Sequence, residues 1–196
     1  MRRLLLACVW AGACSTTQVA STWQRPGAEL SGLRRVAVLA QLDDAAIRRN
    51  TEEQLARALG GRLEAVPAYL LAGGETTRGE TLRAAVEAGG FDAVLALRIT
   101  AVDRDAEWIP GAWVGRYYDF SGWTGYQPLY PEYVQVDTAV RVETNLYALP
   151  SRELLWSAST RTREAGALPR LLDETVEAVS EALLAAAAPG LTGTRR

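Results

Sequence analysis

A long alternation of apolar and polar residues places the strongest constraint on the fold of this chain. It runs from Tyr133 to Leu149. Because successive side chains of a β-strand point to opposite faces, the pattern predicts a strand with one buried and one solvated face. The predicted buried set is Val134, Val136, Thr138, Val140, Val142, Thr144 and Leu146, and the solvated set is Gln135, Asp137, Arg141, Glu143 and Asn145. In the solvated set, Asp137, Arg141 and Glu143 predict cross-strand ion pairs.

Shorter patterns on either side predict the other elements. Apolar runs predict strands at 35–40, 63–71, 92–102 and 154–162, the last as the hairpin partner of 133–149. Helices are predicted after the first strand, after the second strand and, from near Pro169 to Pro189, after the hairpin. The predicted fold class is α/β (α+β), one mixed sheet with helices packed against it. Its order is β-α-β-α-β, long aromatic loop, β-hairpin, α.

The first predicted helix has a defined start, a defined end and one apolar face. Asp43 and Asp44 are predicted to cap it, and Gly60 and Gly61 to end it. Its apolar positions recur at helical spacing, at Ile47, Thr51, Leu55 and Leu59. The opposite face is predicted to be solvated and consists of Arg48, Arg49, Glu52, Glu53 and Arg57.

The composition excludes several kinds of chemistry. The 196 residues include no His and no Lys, which rules out Ser-His-Asp triads, His-ligated metal sites and Schiff-base catalysis. The formal net charge is −2, and no basic stripe is present, so nucleic acid is not an expected partner. No metal and no cofactor are predicted.

The N-terminus is typical of a secretory signal. Arg2 and Arg3 precede a short apolar run, and small residues lead to Cys14. A cysteine in this position resembles the lipobox of bacterial lipoproteins, which implies that Cys14 is acylated (palmitate) and begins the mature chain. Ser15, rather than Asp, implies the outer membrane by the same resemblance. The predicted division is a signal peptide at 1–13, a lipidated flexible tether at 14–31, one periplasmic domain at 32–190 and a tail at 191–196.

Five short segments carry a wider resemblance. They are Ser21–Gln24, Arg34–Val38, Val66–Tyr69, Glu143–Tyr147 and Leu155–Ser157. Together they resemble a family of proteobacterial lipoproteins with a domain of unknown function. More distantly, the element order is similar to small periplasmic α/β domains such as the N-terminal domain of TolB, the curli-secretion lipoprotein and the lipoprotein activators of peptidoglycan synthases. The resemblance implies the envelope and the fold, and it implies no catalytic residues.

The segment 108–133 concentrates aromatic residues among Gly and Pro residues. Loops of this length are usually functional or disordered, and disordered linkers are poor in aromatic residues. Three interpretations remain open: a glycine-hinged flap or extended hairpin with packed rings, a protein-binding surface, and a surface for glycan stacking or contact with the membrane interface. The candidate partner-binding residues are Trp108, Trp113, Arg116, Tyr117, Tyr118, Phe120, Trp123 and Tyr126.

Three carboxylates at alternate positions precede this segment, at Asp103, Asp105 and Glu107. On one face of an extended strand they would form a metal or saccharide site, or a carboxylate pair for glycoside hydrolysis. Alternatively, they form the solvated face of a strand end.

These observations predict a non-catalytic lipoprotein on the periplasmic face of the outer membrane of a Gram-negative bacterium. It would be a binding or assembly module, held by the lipid on Cys14 and contacting an envelope protein through the aromatic loop. The alternatives are a carboxylate-based enzyme acting on cell-wall glycans and a purely structural envelope protein.

Overall fold

A computed structural model describes the protein at residues 16–71, 80–110, 112–118, 124–130, 133–163 and 167–188. Only the backbone is described at 80–81, 105, 107, 109, 112–118, 124–130, 133 and 135–136. The predicted signal peptide 1–13, the predicted lipidation site Cys14 and the predicted tail 191–196 lie outside the described residues.

Eight strands and four helices make up the described secondary structure, together with one 3-10 turn at Leu30–Gly32. The strands are β1 Thr17–Gln24, β2 Arg35–Gln41, β3 Glu64–Pro67, β4 Ala93–Ile109, β5 Ala112–Tyr118, β6 Thr124–Tyr130, β7 Tyr133–Ala148 and β8 Leu154–Thr162. The helices are α1 Ala45–Leu59, α2 Ala68–Leu71, α3 Glu80–Ala88 and α4 Leu168–Ala186.

Six of the strands form one mixed sheet in the order β1-β8-β7-β4-β2-β3, and β5 and β6 pair separately. β2 is parallel to β3 and β4, and the other pairs in the sheet are antiparallel. The helices α1, α2 and α3 lie in the connections between the parallel strands, as parallel pairing requires. The predicted α/β class is confirmed.

Apolar residues cover the sheet on both faces. The larger core joins the sheet to α1 and α4 and includes Val38, Leu55, Leu95, Leu146, Trp156, Leu172 and Leu183. A smaller core joins the other face to α2 and α3 and includes Ala37, Ala68, Leu82, Val86 and Phe91. Among the described residues, no helix is long and apolar enough to cross a bilayer.

The helix α1 follows its predicted pattern at its start and along its apolar face. The Asp44 carboxylate accepts hydrogen bonds from the backbone N–H groups of Ala46 and Ile47, at 2.8 and 2.9 Å. Such a cap stabilises a helix by about 1 kcal/mol. Thr51, Leu55 and Leu59 are buried as predicted, and Pro169 lies in the first turn of α4 as predicted.

The predicted solvated face of α1 is wrong at Glu52, whose side chain is 0 % exposed. Its Oε1 accepts from Ala40 N at 3.1 Å and its Oε2 from Tyr69 N at 3.0 Å. β3 pairs with β2 only as far as Pro67 opposite Val38, so Ala40 lies beyond the end of that ladder. The Glu52 carboxylate therefore satisfies N–H groups that the short strand leaves without a ladder partner.

Burial raises the pKa of Glu52 above the usual glutamate range. The hydrogen bonds from the backbone of Ala40 and Tyr69 and the positive charge of Arg48 act in the opposite direction. Burial is the larger effect because the ionised carboxylate loses its hydration.

The second predicted strand, 63–71, is too long. β3 ends at Pro67, and Ala68–Leu71 forms the short helix α2. Proline has no N–H group to continue a ladder, and the turn that follows it directs the N–H of Tyr69 to Glu52.

The predicted flexible tether, 14–31, is wrong over Thr17–Gln24, which forms the edge strand β1 paired with β8. The Thr16 and Thr17 hydroxyls both donate to Glu174 Oε2 of α4, at 3.0 and 2.9 Å, and the Thr17 and Thr162 hydroxyls lie 2.7 Å apart. Backbone pairing and hydroxyl groups, rather than apolar burial, hold this strand, because only Thr17 is buried.

Candidate functional site

A two-stranded ribbon extends from the six-stranded sheet. The pairing of β2 with β4 ends at Arg98, and the pairing of β8 with β7 ends at Val140. Beyond those points β4 and β7 continue to pair with each other as far as Ile109 opposite Tyr133. We call residues 101–109 and 133–139, with the β5–β6 hairpin between them in the chain, the arm.

The predicted long loop, 108–133, is wrong over 112–118 and 124–130, because β5 and β6 form an antiparallel pair there. The third predicted strand is likewise longer than 92–102 and reaches Ile109. Aromatic residues favour strands, and the register of β5 shifts between Val114 and Arg116, where Gly115 allows a bulge. The extended-hairpin interpretation therefore describes the backbone of this segment best.

The candidate partner-binding residues divide into three groups. Trp108 lies on β4 with its side chain 60 % exposed. Phe120 and Trp123 lie outside the described residues. The backbone alone is described at Trp113, Arg116, Tyr117, Tyr118 and Tyr126, which lie on β5 and β6.

Exposed apolar side chains lie along the described part of the arm. Trp108 pairs directly with Val134, which is 59 % exposed, and Val102 is 52 % exposed. The predicted burial of Val134 is therefore wrong, because β4 and β7 extend here beyond their pairing with β2 and β8. Directly paired residues share one face of a ribbon, so Trp108 and Val134 form one apolar patch. Apolar patches that remain in contact with water are typical of binding surfaces.

The three candidate carboxylates lie on β4 within the arm. The Asp103 carboxylate pairs with Arg141, with 3.3 Å between Oδ2 and Nη2. Asp105 pairs through the backbone with Asp137, and Glu107 with Gln135. Among the residues that the structure describes, no group of three or more His, Cys, Asp or Glu side chains could hold a metal ion.

Cross-strand ion pairs are present at Arg141 and Glu143, as predicted. Arg141 pairs with Asp103, and Glu143 pairs with Arg98 directly opposite it, at 2.7 Å between Nη2 and Oε2. A hydrogen bond from the Asn145 amide, followed by that from Arg98, holds the pKa of Glu143 below its usual range. The same contact raises the pKa of Arg98, so both groups stay charged near neutral pH.

A groove of about 800 Å³ lies on the α3 side of the sheet, and the sequence did not predict it. It runs along the parallel strands β2 and β4 and reaches the carboxyl end of β2 at Gln41. Ligands of open α/β sheets bind at such ends, where the strand order reverses. The lining consists of Leu39, Ala40, Gln41, Leu82, Arg83, Val86, Glu87, Val94, Arg98, Ile99, Tyr147, Leu149 and Arg152.

The lining is largely apolar, with three arginines and one glutamate. The Arg152 guanidinium donates to Glu87 Oε1 of α3 at 2.7 Å. These residues come from three strands, one helix and one turn that are far apart in the sequence, which explains why no motif marks the groove. One signal was available: Arg98 interrupts the apolar run from Ala93 to Ile99 in the predicted strand.

Comparison with known proteins assigns the chain to no family. No protein-family model and no curated protein matches the chain. Among solved structures, the chain is similar to the PelC dodecamer from Paraburkholderia phytofirmans at 13% identity and a TM-score of 0.45, covering 84% of this chain and 95% of that chain.

It is also similar to the lipoprotein GNA1162 from Neisseria meningitidis at 18% identity and a TM-score of 0.39, covering 78% of this chain and 99% of that chain. TM-scores below 0.5 carry no argument about function, so the function proposed below depends on the residues themselves.

Proposed function

We propose that this protein is a non-catalytic lipoprotein of the bacterial envelope that binds a protein partner through its arm. The observation that carries the proposal is the apolar patch of Trp108 and Val134 on a ribbon that extends beyond the sheet. The signal-like N-terminus and Cys14 support an acylated anchor, and Ser15 supports the outer membrane.

The arm has the chemistry of a protein-binding element. Trp and Tyr are the residues that most often dominate binding energy at protein interfaces, and the arm is rich in both. Beyond Arg98 and Val140, the described residues provide no third strand for the outer edges of β4 and β7. Edges of this kind can pair with an extended segment of a partner, with the patch supplying side-chain contacts.

The pairing of Asp103 with Arg141 supports a non-catalytic role, because an exposed cross-strand ion pair is the contact expected on the solvated face of a strand. A retaining or inverting glycosidase needs two carboxyl groups that both reach the substrate.

Changing the patch is expected to abolish partner binding without unfolding the protein. We expect the double variant Trp108→Ser and Val134→Ser to lose in-cell photo-crosslinks from a crosslinking residue placed at Arg104. Both side chains are largely exposed, so the free energy of unfolding should change by about 1 kcal/mol or less. The matched control is Trp23→Ser with Val19→Ser, which removes exposed apolar residues from β1.

The proposal predicts that the control retains the crosslinks and that the arm variant loses them. Equal crosslinking by the two variants would contradict binding through the arm. A crosslinked product of twice the mass of the chain would identify a second copy as the partner.

Acylation at Cys14 has its own test. In a Gram-negative host, the full chain is expected to incorporate an alkyne analogue of palmitate and to fractionate with the outer membrane, whereas Cys14→Ser should do neither. Cys8→Ser, which changes the other cysteine, is the matched control and should behave as the unmodified chain. Label on the Cys14→Ser chain, or its absence from the Cys8→Ser chain, would show that the lipidation site is wrong.

A further inference from the structure

The groove is lined by apolar side chains together with positively charged arginines. Leu39 and Val94 come from β2 and β4, and Leu82 and Val86 from α3. The lining holds three arginines against one glutamate, although the whole chain has a formal net charge of −2. A volume of about 800 Å³ lies in the range of small-molecule sites, which are mostly apolar with a few polar groups that orient the ligand.

Arg152 adopts a backbone conformation that is rare for a residue with a side chain. Its φ is +60°, in the left-handed region that favours glycine. The backbone N–H of Arg152 donates to Ala148 O at 2.8 Å, and its guanidinium reaches Glu87 across the groove. Residues held in such conformations are concentrated at ligand-binding sites, and here the conformation directs an arginine to the groove.

Arg98 and Arg152 both have N–H groups left over that can bind an anion. A guanidinium has five N–H donors. Within the described part of the chain, Glu143 accepts from Nε and Nη2 of Arg98, and Glu87 accepts from Nη2 of Arg152. Both side chains are about half exposed, at 54% and 58%. The remaining N–H groups can therefore donate to a carboxylate or phosphate that enters from solvent.

We propose that this groove binds a single-chain amphiphile, with its apolar chain between α3 and the sheet and its anionic headgroup at Arg98 and Arg152. Each buried CH₂ group of the chain contributes about 0.8 kcal/mol, and the arginines select the charged headgroup. This site is separate from the arm and requires no acylation of Cys14, so its test is independent of the function proposed above.

Calorimetry with the full chain carrying Cys14→Ser tests the proposal, with dodecanoate, dodecyl phosphate and dodecanol as probes below their micelle-forming concentrations. We expect the two anions to bind about a hundredfold more tightly than dodecanol, since each of the two charge-assisted contacts, at about 1.4 kcal/mol, corresponds to a factor of about ten. A preference for dodecanoate would identify a fatty acid as the natural class of ligand, and a preference for dodecyl phosphate would identify a single-chain lysophospholipid.

Two variants assign the headgroup contacts. Arg152→Gly and Arg98→Gln are each expected to lower the affinity for the preferred anion about tenfold while leaving dodecanol binding unchanged. Arg152→Gly should fold normally, because glycine adopts a φ of +60° without strain. Arg57→Gln, on the exposed face of α1, is the matched control and should retain full affinity.

Backbone-amide NMR shifts locate the bound probe. The proposal predicts shifts at 39–41 and 94–99. Absence of saturable anion binding, unchanged affinity in both arginine variants, or shifts confined to 102–109 would overturn it.

Discussion

Replacing Glu52 by Ala is expected to lower the free energy of unfolding by about 2 to 5 kcal/mol. The substitution leaves the buried N–H group of Ala40 and the partly buried N–H group of Tyr69 without an acceptor, and a buried group without a partner costs about 1 to 3 kcal/mol. Because a domain is stabilised by only about 5 to 15 kcal/mol, this one side chain would account for much of the total.

Urea unfolding followed by far-UV circular dichroism measures this loss. Glu53→Ala is the matched control, because Glu53 is the next residue of α1, is 47% exposed and makes solvent-exposed contacts, an ion pair with Arg57 at 4.0 Å and a hydrogen bond from the Tyr69 hydroxyl at 2.6 Å. Its cost should be about 1 kcal/mol or less. Equal losses in the two variants would contradict the role assigned to Glu52.

The raised pKa of Glu52 also predicts a pH dependence. A carboxyl group whose pKa is higher in the folded state binds its proton more tightly there. Its contribution to stability is therefore complete below the unfolded pKa of about 4.3 and is lost as the pH rises to the folded value. Glu52→Gln does not titrate, so the stability of the wild type relative to this variant should fall as the pH rises through that window. A rise in the relative stability over the same window would show that the shift has the opposite sign.

Trp156→Ala is expected to destabilise the protein by about 3 to 5 kcal/mol. Trp156 is 1% exposed and lies on β8 between Leu146 of β7 and Gln24 of β1, in the core that α4 covers. Removing the indole leaves a large cavity in addition to the loss of burial energy.

The same substitution at an exposed tryptophan gives the comparison. Trp23 of β1 is 47% exposed and pairs with Ser157, so Trp23→Ala should cost about 1 kcal/mol or less. In thermal unfolding, the Tm of Trp156→Ala should be well below the Tm of Trp23→Ala. Each kcal/mol of lost stability lowers Tm by about 2 to 4 °C in a domain of this size. Similar transition temperatures would show that the core tolerates the loss of Trp156.

The elements that the sequence predicts well bury one regular face. β7 and α4 are examples, because alternation at 140–146 and helical spacing at 171–183 place apolar residues where water is excluded. β1 offered no such signal, because only Thr17 is buried and the strand is held by pairing with β8. A pattern search based on burial cannot detect an edge strand of this kind.

The candidate sites also differ in how far the sequence alone predicts them. The aromatic composition of the arm identifies it in the sequence, but the hairpin within it depends on pairing between residues whose polarity does not alternate regularly. By its spacing in the sequence, Glu52 belongs to the polar face of α1. The structure buries it because β3 ends early and the backbone N–H of Ala40 then donates to the Glu52 carboxylate. The groove depends on contacts between β2, β4, α3 and the turn at Arg152, which no local pattern encodes.

The hydroxyl contacts of Thr16 and Thr17 with α4 affect how far the domain could move from a bilayer. The proposed anchor, Cys14, precedes Thr16 by two residues, which span at most about 7 Å of extended chain. A free tether from 14 to 31 would instead span up to about 60 Å. The acylated protein would thus diffuse in two dimensions with the start of β1 close to the lipid headgroups, and its partner would have to meet it near that surface.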